Sequence, residues 1–210
     1  MLEAAGLKCV RGDKTLFDGL GFTLGSGQLL HIKGENGSGK TSLLRMLCGL
    51  VEPAEGEIRW QGENALKLAE DYFSQLLYIG HSPGIKADLS ALENLKVTCA
   101  LSGTPVSEDD AWGSLVKIGL GGREDLPTKV LSQGQKRRVA LARMLLSKAP
   151  LWILDEPFTA LDVKAVAELE DVIATHLDNE GMVVLTTHQA IKHLAGRETI
   201  LDLSSREATA

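Results

Sequence analysis

Gly34-Glu-Asn-Gly-Ser-Gly-Lys40-Thr41 decides the reading of this chain, because it fits the pattern G-x-x-x-x-G-K-[ST] in full. Its flanks agree. Leu29-Leu-His-Ile-Lys33 is a short apolar run suited to a buried strand, and Thr41 to Leu50 has helical composition that stops near Gly49 and Pro53. A strand, a glycine loop and a helix in that order make a cradle for phosphate. Gly34, Glu35, Asn36, Gly37, Ser38 and Gly39 can turn main-chain N–H groups inward, while the helix start at Lys40, Thr41 and Ser42 adds the positive end of its dipole. Lys40 is expected to reach the outer phosphates, and the Thr41 hydroxyl to ligate Mg²⁺. The competing reading is a glycine-rich turn with a chance lysine, and both flanks argue against it.

The rest of the composition sets bounds. A length of 210 residues suits one sizeable domain, or a domain with an insert. The balance of 44% apolar and 24% charged residues is that of a globular chain and argues against disorder. A formal net charge of -6 gives no global pull toward nucleic acid or an anionic membrane, so phosphate must be held by a local site. No apolar run approaches the roughly 18 residues that span a bilayer. The start MLEAAGLKCVRGDK lacks the basic and apolar regions of a signal peptide, which points to the cytoplasm. Cys9, Cys48 and Cys99 are far apart and odd in number, the pattern of buried reduced thiols. The five histidines show no metal-ligand spacing.

Along the chain, Glu57 to Trp60 and Leu76 to Ile79 read as strands. From about residue 88 to 148 the character turns helical. Ala91 to Leu101 suits a helix, and a second is expected from a cap at Ser107 through Ile118. A third follows Leu131-Ser-Gln-Gly134. Buried strands resume at Leu151 to Leu154 and Met182 to Thr186. Between them Val163, Val166, Leu169, Val172 and Ile173 give a helix one apolar face. The expected organisation is a single α/β domain over residues 1–210, its core formed by about 1–87 and 149–210 around a helical insert. Ser204 to Ala210 reads as a loose tail.

Two further motifs carry chemistry. Leu151-Trp-Ile-Leu-Asp155-Glu156 is a buried strand ending in adjacent carboxylates, where parallel sheets bind ligands. Asp155 is placed to hold Mg²⁺, and Glu156 to face an attacking water. Alone, the pair could be a solvated strand end; beside a phosphate loop it reads as catalytic. Leu131-Ser-Gln-Gly-Gln135 opens a helix whose start could meet an anion, with Ser132 capping and Gly134 allowing close approach. An ordinary capped helix fits those residues as well.

Taken together, GENGSGKT, LSQGQ, LWILDEP, Ala160-Leu-Asp162 and the histidine of Leu-Thr-Thr-His188-Gln resemble the ABC transporter ATPases, in order and over nearly the whole chain. The resemblance implies a P-loop NTPase fold: a RecA-like core, an N-terminal antiparallel β subdomain and a helical insert. It implies ATP and Mg²⁺ as cofactors, Glu156 as general base, and His188 as the residue that contacts the γ-phosphate and aligns the water. It also places the nucleotide between the phosphate loop of one chain and Ser132, Gly134 and Gln135 of another, so that two chains pair head to tail. Arg11-Gly-Asp-Lys-Thr-Leu-Phe17, Trp60-Gln-Gly62, Gly80-His81-Ser-Pro-Gly-Ile-Lys86 and the run Ala149 to Ala160 narrow the resemblance. They are similar to the ATP-binding subunits of cytochrome c maturation, or haem exporter, transporters. That family implies a homodimer on integral membrane subunits at the cytoplasmic face of the inner membrane. Haem-handling proteins are then reached only indirectly, and no nucleic acid is expected. ATP hydrolysis would drive haem export or release of a haem-loaded chaperone. Another ABC transporter, or an ATP-binding regulatory module with little hydrolysis, stays open at this stage.

Departures from the family pattern mark three positions. Arg11 stands where an aromatic residue usually stacks on adenine, and a guanidinium can also stack. Gln133 stands where glycine is commonest in the signature. His81 falls where the family's glutamine loop senses γ-phosphate and Mg²⁺, with Ser82 the alternative if the register slips by one.

Overall fold

A computed structural model describes residues 1–204, so the expected tail lies outside the described residues from position 205 onward. Two sheets organise the chain. The first is antiparallel and begins with β1 (Leu2–Arg11) and β2 (Lys14–Leu24), a hairpin that pairs Arg11 with Lys14 around Gly12. Along β1, Leu2, Ala4, Leu7 and Cys9 face inward, and bulges shift the register between them. A chain that alternates with bulges makes only a weak period-2 signal.

Strand β3 (Leu29–Lys33) belongs to the second sheet and runs straight into the phosphate loop. Then α1 (Lys40–Leu47) follows, ending three residues earlier than the composition suggested. The stop is a glycine cap: Gly49 takes φ 68, its N–H reaches Met46 O at 2.9 Å, and Leu50 N–H reaches Arg45 O at 2.9 Å. These paired bonds satisfy the last helical carbonyls and turn the chain away.

The chain returns to the first sheet through β4 (Glu55–Trp60) and β5 (Glu63–Asn64), giving the order β2-β1-β4-β5. Two single-turn helices, α2 (Ala65–Leu68) and α3 (Glu70–Phe73), lead to β6 (Leu76–Ile79). The helical segment holds α4 (Ala91–Leu101), α5 (Glu108–Leu115) and α6 (Gln133–Leu141). Capping boxes at Ser90–Glu93 and Ser132–Gln135 start the first and last. The second was expected to run regularly to Ile118, but the α-helix ends at Leu115 and a π-turn covers Val116–Leu120. Gly119 sits there at φ 81, and Arg138 Nη1 takes the Ile118 carbonyl at 3.3 Å, drawing it out of the helical ladder.

Strands β7 (Leu151–Asp155), β8 (Met182–Thr186) and β9 (Glu198–Asp202) complete a parallel sheet ordered β6-β7-β8-β3-β9. Every residue of β7 and β8 is buried, as continuous apolar runs require when both faces are covered. One face packs against α1 and the antiparallel sheet, joining Leu30, Ile32, Leu43, Leu47, Ile153 and Val184 to Leu7, Phe17 and Trp60. The other is closed by α7 (Val163–Asp178), whose Leu169 and Ile173 are buried and whose Val166 and Val172 are partly so. Val163 departs from the expected face. As the first residue of the helix it points outward and is 89% exposed. The three cysteines are buried and free, as their spacing suggested. Among the described residues, no helix is long and apolar enough to cross a membrane.

Candidate nucleotide site

The site lies at the C-terminal ends of β3, β7 and β8, where the sheet presents its loops. The phosphate loop needs its glycines. Gly34, Gly37 and Gly39 take φ of 147, 87 and 101, and a Cβ on Gly34 would lie 2.5 Å from Ser38 Oγ. No side chain caps α1 at Gly39, so the first-turn N–H groups stay available to an anion. Lys40 Nζ donates to Gly34 O at 2.7 Å and to Glu35 O at 3.0 Å, which stretches the lysine along the loop. Ser38 Oγ is buried there with no hydrogen-bond partner.

Asp155 ends β7 beneath this loop and is 3% exposed. Its Oδ2 accepts from Thr41 Oγ1 at 3.1 Å and its Oδ1 from Thr186 Oγ1 at 2.9 Å. Burial of a carboxylate is tolerated because both oxygens are bonded. Glu156, next along, leaves the strand at φ 51. Its N–H meets Thr186 O and Thr186 Oγ1, both at 3.1 Å. Its carboxyl reaches toward His188, with Oε1 3.5 Å from Nε2, and that oxygen is buried with no hydrogen-bond partner. A hidden carboxylate oxygen with room for a donor is what a positioned water would satisfy.

A cleft of about 530 Å³ opens in front of these groups. Its walls bring together Asn36, Gly37, Gly39, Lys40, Thr41 and Ser42 of the loop with Asp155, Glu156 and His188. Arg11 and His81 line the same cleft from opposite sides of the chain's sequence. Gly34 borders the adjoining hollow shared with Lys40 and His188, and Glu35 and Ser38 line the outer side of the loop. Ser132, Gly134 and Gln135 do not enter this cleft. Ser132 Oγ accepts from Gln135 N–H at 3.2 Å, and Gln135 Oε1 accepts from Ser132 N–H at 2.9 Å. Gly134 has a local reason to be glycine: a Cβ would lie 2.5 Å from the Ala160 carbonyl.

Sequence reasoning missed the supports. Thr186 bonds both acidic residues, yet it looks like any strand threonine. His31 on β3 lies 2.5 Å from Glu198 Oε2 by Nδ1 and 3.2 Å from Thr187 O by Nε2, bracing the residue before His188. Buried Glu170 of α7 accepts from the N–H groups of Lys192 and His193 at 3.1 and 2.8 Å, tethering the segment after it. Leu16, Thr159 and Gln189 complete the cleft wall; each lies in a stretch that carries the resemblance, yet none was assigned a role.

As for metal, among the described residues no group of three His, Cys, Asp or Glu is assembled to hold an ion. The Thr41–Asp155 oxygen pair nevertheless fits Mg²⁺, which takes one or two protein oxygens and completes its shell with water and phosphate.

Known proteins share this sequence pattern and fold. The family model described as ABC transporter matches residues 17–159. The cytochrome c biogenesis ATP-binding export protein CcmA of Nitrosospira multiformis is 56% identical over 191 residues, which cover 91% of this chain and 93% of that protein. An ABC transporter ATP-binding protein from Pyrococcus furiosus superposes with a TM-score of 0.84 at 25% identity, covering 99% of both chains. An ATP-binding cassette solved as a dimer in a post-hydrolysis state with ADP and Pi superposes with a TM-score of 0.85 at 23% identity, covering 100% of this chain and 97% of its own. The chain thus belongs to the ABC transporter ATPases and, within them, to the cytochrome c biogenesis ATP-binding export proteins.

Proposed function

We propose that this chain is the ATP-hydrolysing subunit of a membrane complex for cytochrome c maturation, coupling ATP turnover to haem export or to release of a haem-loaded chaperone. The observation that carries the enzymatic part is the alignment of Thr41, Asp155, Glu156 and His188 at one end of the parallel sheet. The cargo part rests on the names of the relatives.

In this reading the main chain from Asn36 to Thr41 and the Lys40 ammonium hold the phosphates, displacing the lysine from its present carbonyl partners. Mg²⁺, when bound by Thr41 and Asp155, neutralises phosphate charge. His81 would face that ion through water, since Mg²⁺ prefers oxygen to imidazole nitrogen. Glu156 takes the proton of the attacking water, and His188 holds water and γ-phosphate in line. Arg11 stacks on the adenine.

Ser132, Gly134 and Gln135 lie outside the chain's own cleft, which supports their serving the cleft of a second copy in a head-to-tail homodimer. Residues 88–148 act as a helical subdomain of the single domain. The dimer sits on integral membrane subunits at the cytoplasmic face, and haem-handling proteins are met only through them.

The deciding experiment is Glu156→Gln in membranes bearing the complex. It should keep ATP bound and lose hydrolysis by about 10²–10⁴-fold. Near-normal phosphate release from that variant would remove Glu156 from the role.

A further inference from the structure

One buried cation beside the cleft belongs to no motif described so far. Arg137 projects from α6 and is 3% exposed. A guanidinium carries five N–H donors in a rigid planar fork. Here each finds a main-chain carbonyl. Nε donates to Pro157 O at 3.3 Å, Nη1 to Gly80 O at 2.7 Å and His81 O at 3.3 Å, and Nη2 to Asp155 O and Glu156 O at 2.9 Å each.

We propose that Arg137 is a positioning residue: it clamps Glu156 in its left-handed backbone conformation and ties that residue to the His81 loop and to the signature helix. The inference rests on the reading of Glu156 as the general base.

Glu156 at φ 51 adopts a conformation that side-chain-bearing residues hold only when their surroundings impose it. Both ends of the residue are pinned. Thr186 takes the N–H from one side, and Arg137 Nη2 takes the C=O from the other. Between these anchors the carboxyl is left pointing toward His188. The other tine of the same fork grips Gly80 and His81, so a shift of that loop moves a rigid group that also holds Glu156. The stem of Arg137 rides on the helix that Ser132 caps. One side chain therefore joins the base, the loop expected to sense the nucleotide, and the segment proposed to reach the second copy. Lysine could not replace it, because three donors on one atom cannot span five carbonyls on two segments.

The test uses the full chain in membranes carrying its partner subunits. Arg137→Lys, with Arg137→Gln as a second variant should the first fold poorly, is made alone and together with Glu156→Gln. Acting through Glu156, Arg137→Lys should lower kcat by about 10–100-fold and leave KM for ATP within about twofold. In the Glu156→Gln background the same change should cost no more than about twofold further, because the group it positions is already gone. An equal loss in both backgrounds, or a fall in kcat matched by weakened ATP binding, would overturn the inference in favour of a general packing role. Normal turnover of Glu156→Gln alone is a separate result: it removes the base reading, and the positioning role falls with it.

Discussion

The hydroxyl of Thr41 donates to Asp155 Oδ2 at 3.1 Å, joining two residues 114 positions apart in the chain. This single bond marks where the phosphate-loop helix meets the end of β7. It also sets two oxygens side by side in the cleft, a pair suited to a hard cation. Removing the hydroxyl should therefore act on metal-bound nucleotide in particular. Thr41→Val is expected to weaken MgATP binding by about 10–100-fold and to leave binding of metal-free ATP nearly unchanged, while Thr41→Ser keeps both. Titrations with and without a chelator measure this, and equal weakening in both would place the role of Thr41 elsewhere.

His188 is largely exposed, yet its Nε2 stands 3.5 Å from the hidden Oε1 of Glu156. That geometry suits a donor that aligns water and phosphate more than one that anchors the nucleotide. His188→Ala should lower the hydrolysis rate by about 10²–10³-fold with ATP affinity preserved. Single-turnover hydrolysis beside equilibrium binding separates the two, and a comparable loss of both would contradict the positioning role.

His81 lines the cleft, and its carbonyl is held by Arg137. A neutral imidazole offers one donor and one acceptor, as an amide side chain can. His81→Gln should keep more partner-dependent ATP turnover than His81→Ala. If the two variants behave alike, the side chain has no part in sensing the nucleotide, and Ser82 becomes the residue to test.

His176 stacks on Trp152, ring centroids 3.7 Å apart and planes inclined by 3°. Burial pushes this imidazole below its ordinary value. The sign follows directly. In the unfolded chain the group takes up its proton near pH 6.5, about the value of a free histidine. In the folded chain it does so only at lower pH, so stability is lost as the pH falls from that region toward the folded value. An NMR titration should find His176 protonating below the ordinary range, with denaturation midpoints declining over the same interval. Titration at or above the ordinary value would contradict the buried stack.

Much of the site was legible from short stretches. GENGSGKT needs only its own glycines, its lysine and its flanking strand and helix to be read, because its chemistry lies within eight consecutive residues. The capping boxes at Ser90 and Ser132 are equally local, each closing within one helical turn. The parallel strands β3, β7 and β8 announced themselves as continuous apolar runs. The hairpin of β1 and β2 did not: its bulges break the alternation, and only the family resemblance implied that sheet.

What the sequence by itself determined was which groups are at hand: a phosphate loop, the Thr41 hydroxyl, the Asp155 and Glu156 carboxylates and the His188 imidazole, whose roles as metal ligands, base and water-orienting group are proposals. Tertiary structure alone decided how those groups are held. Arg137 reads as one more basic residue on a helix until five carbonyls from two distant segments are seen around it. Thr186 reads as a strand threonine until both acidic residues are found bonded to it, and Gly134 as a gap for phosphate until Ala160 occupies that space. The reason is common to all three. Their partners are main-chain atoms or residues brought close only by sheet order, and a carbonyl group leaves no trace in residue identity.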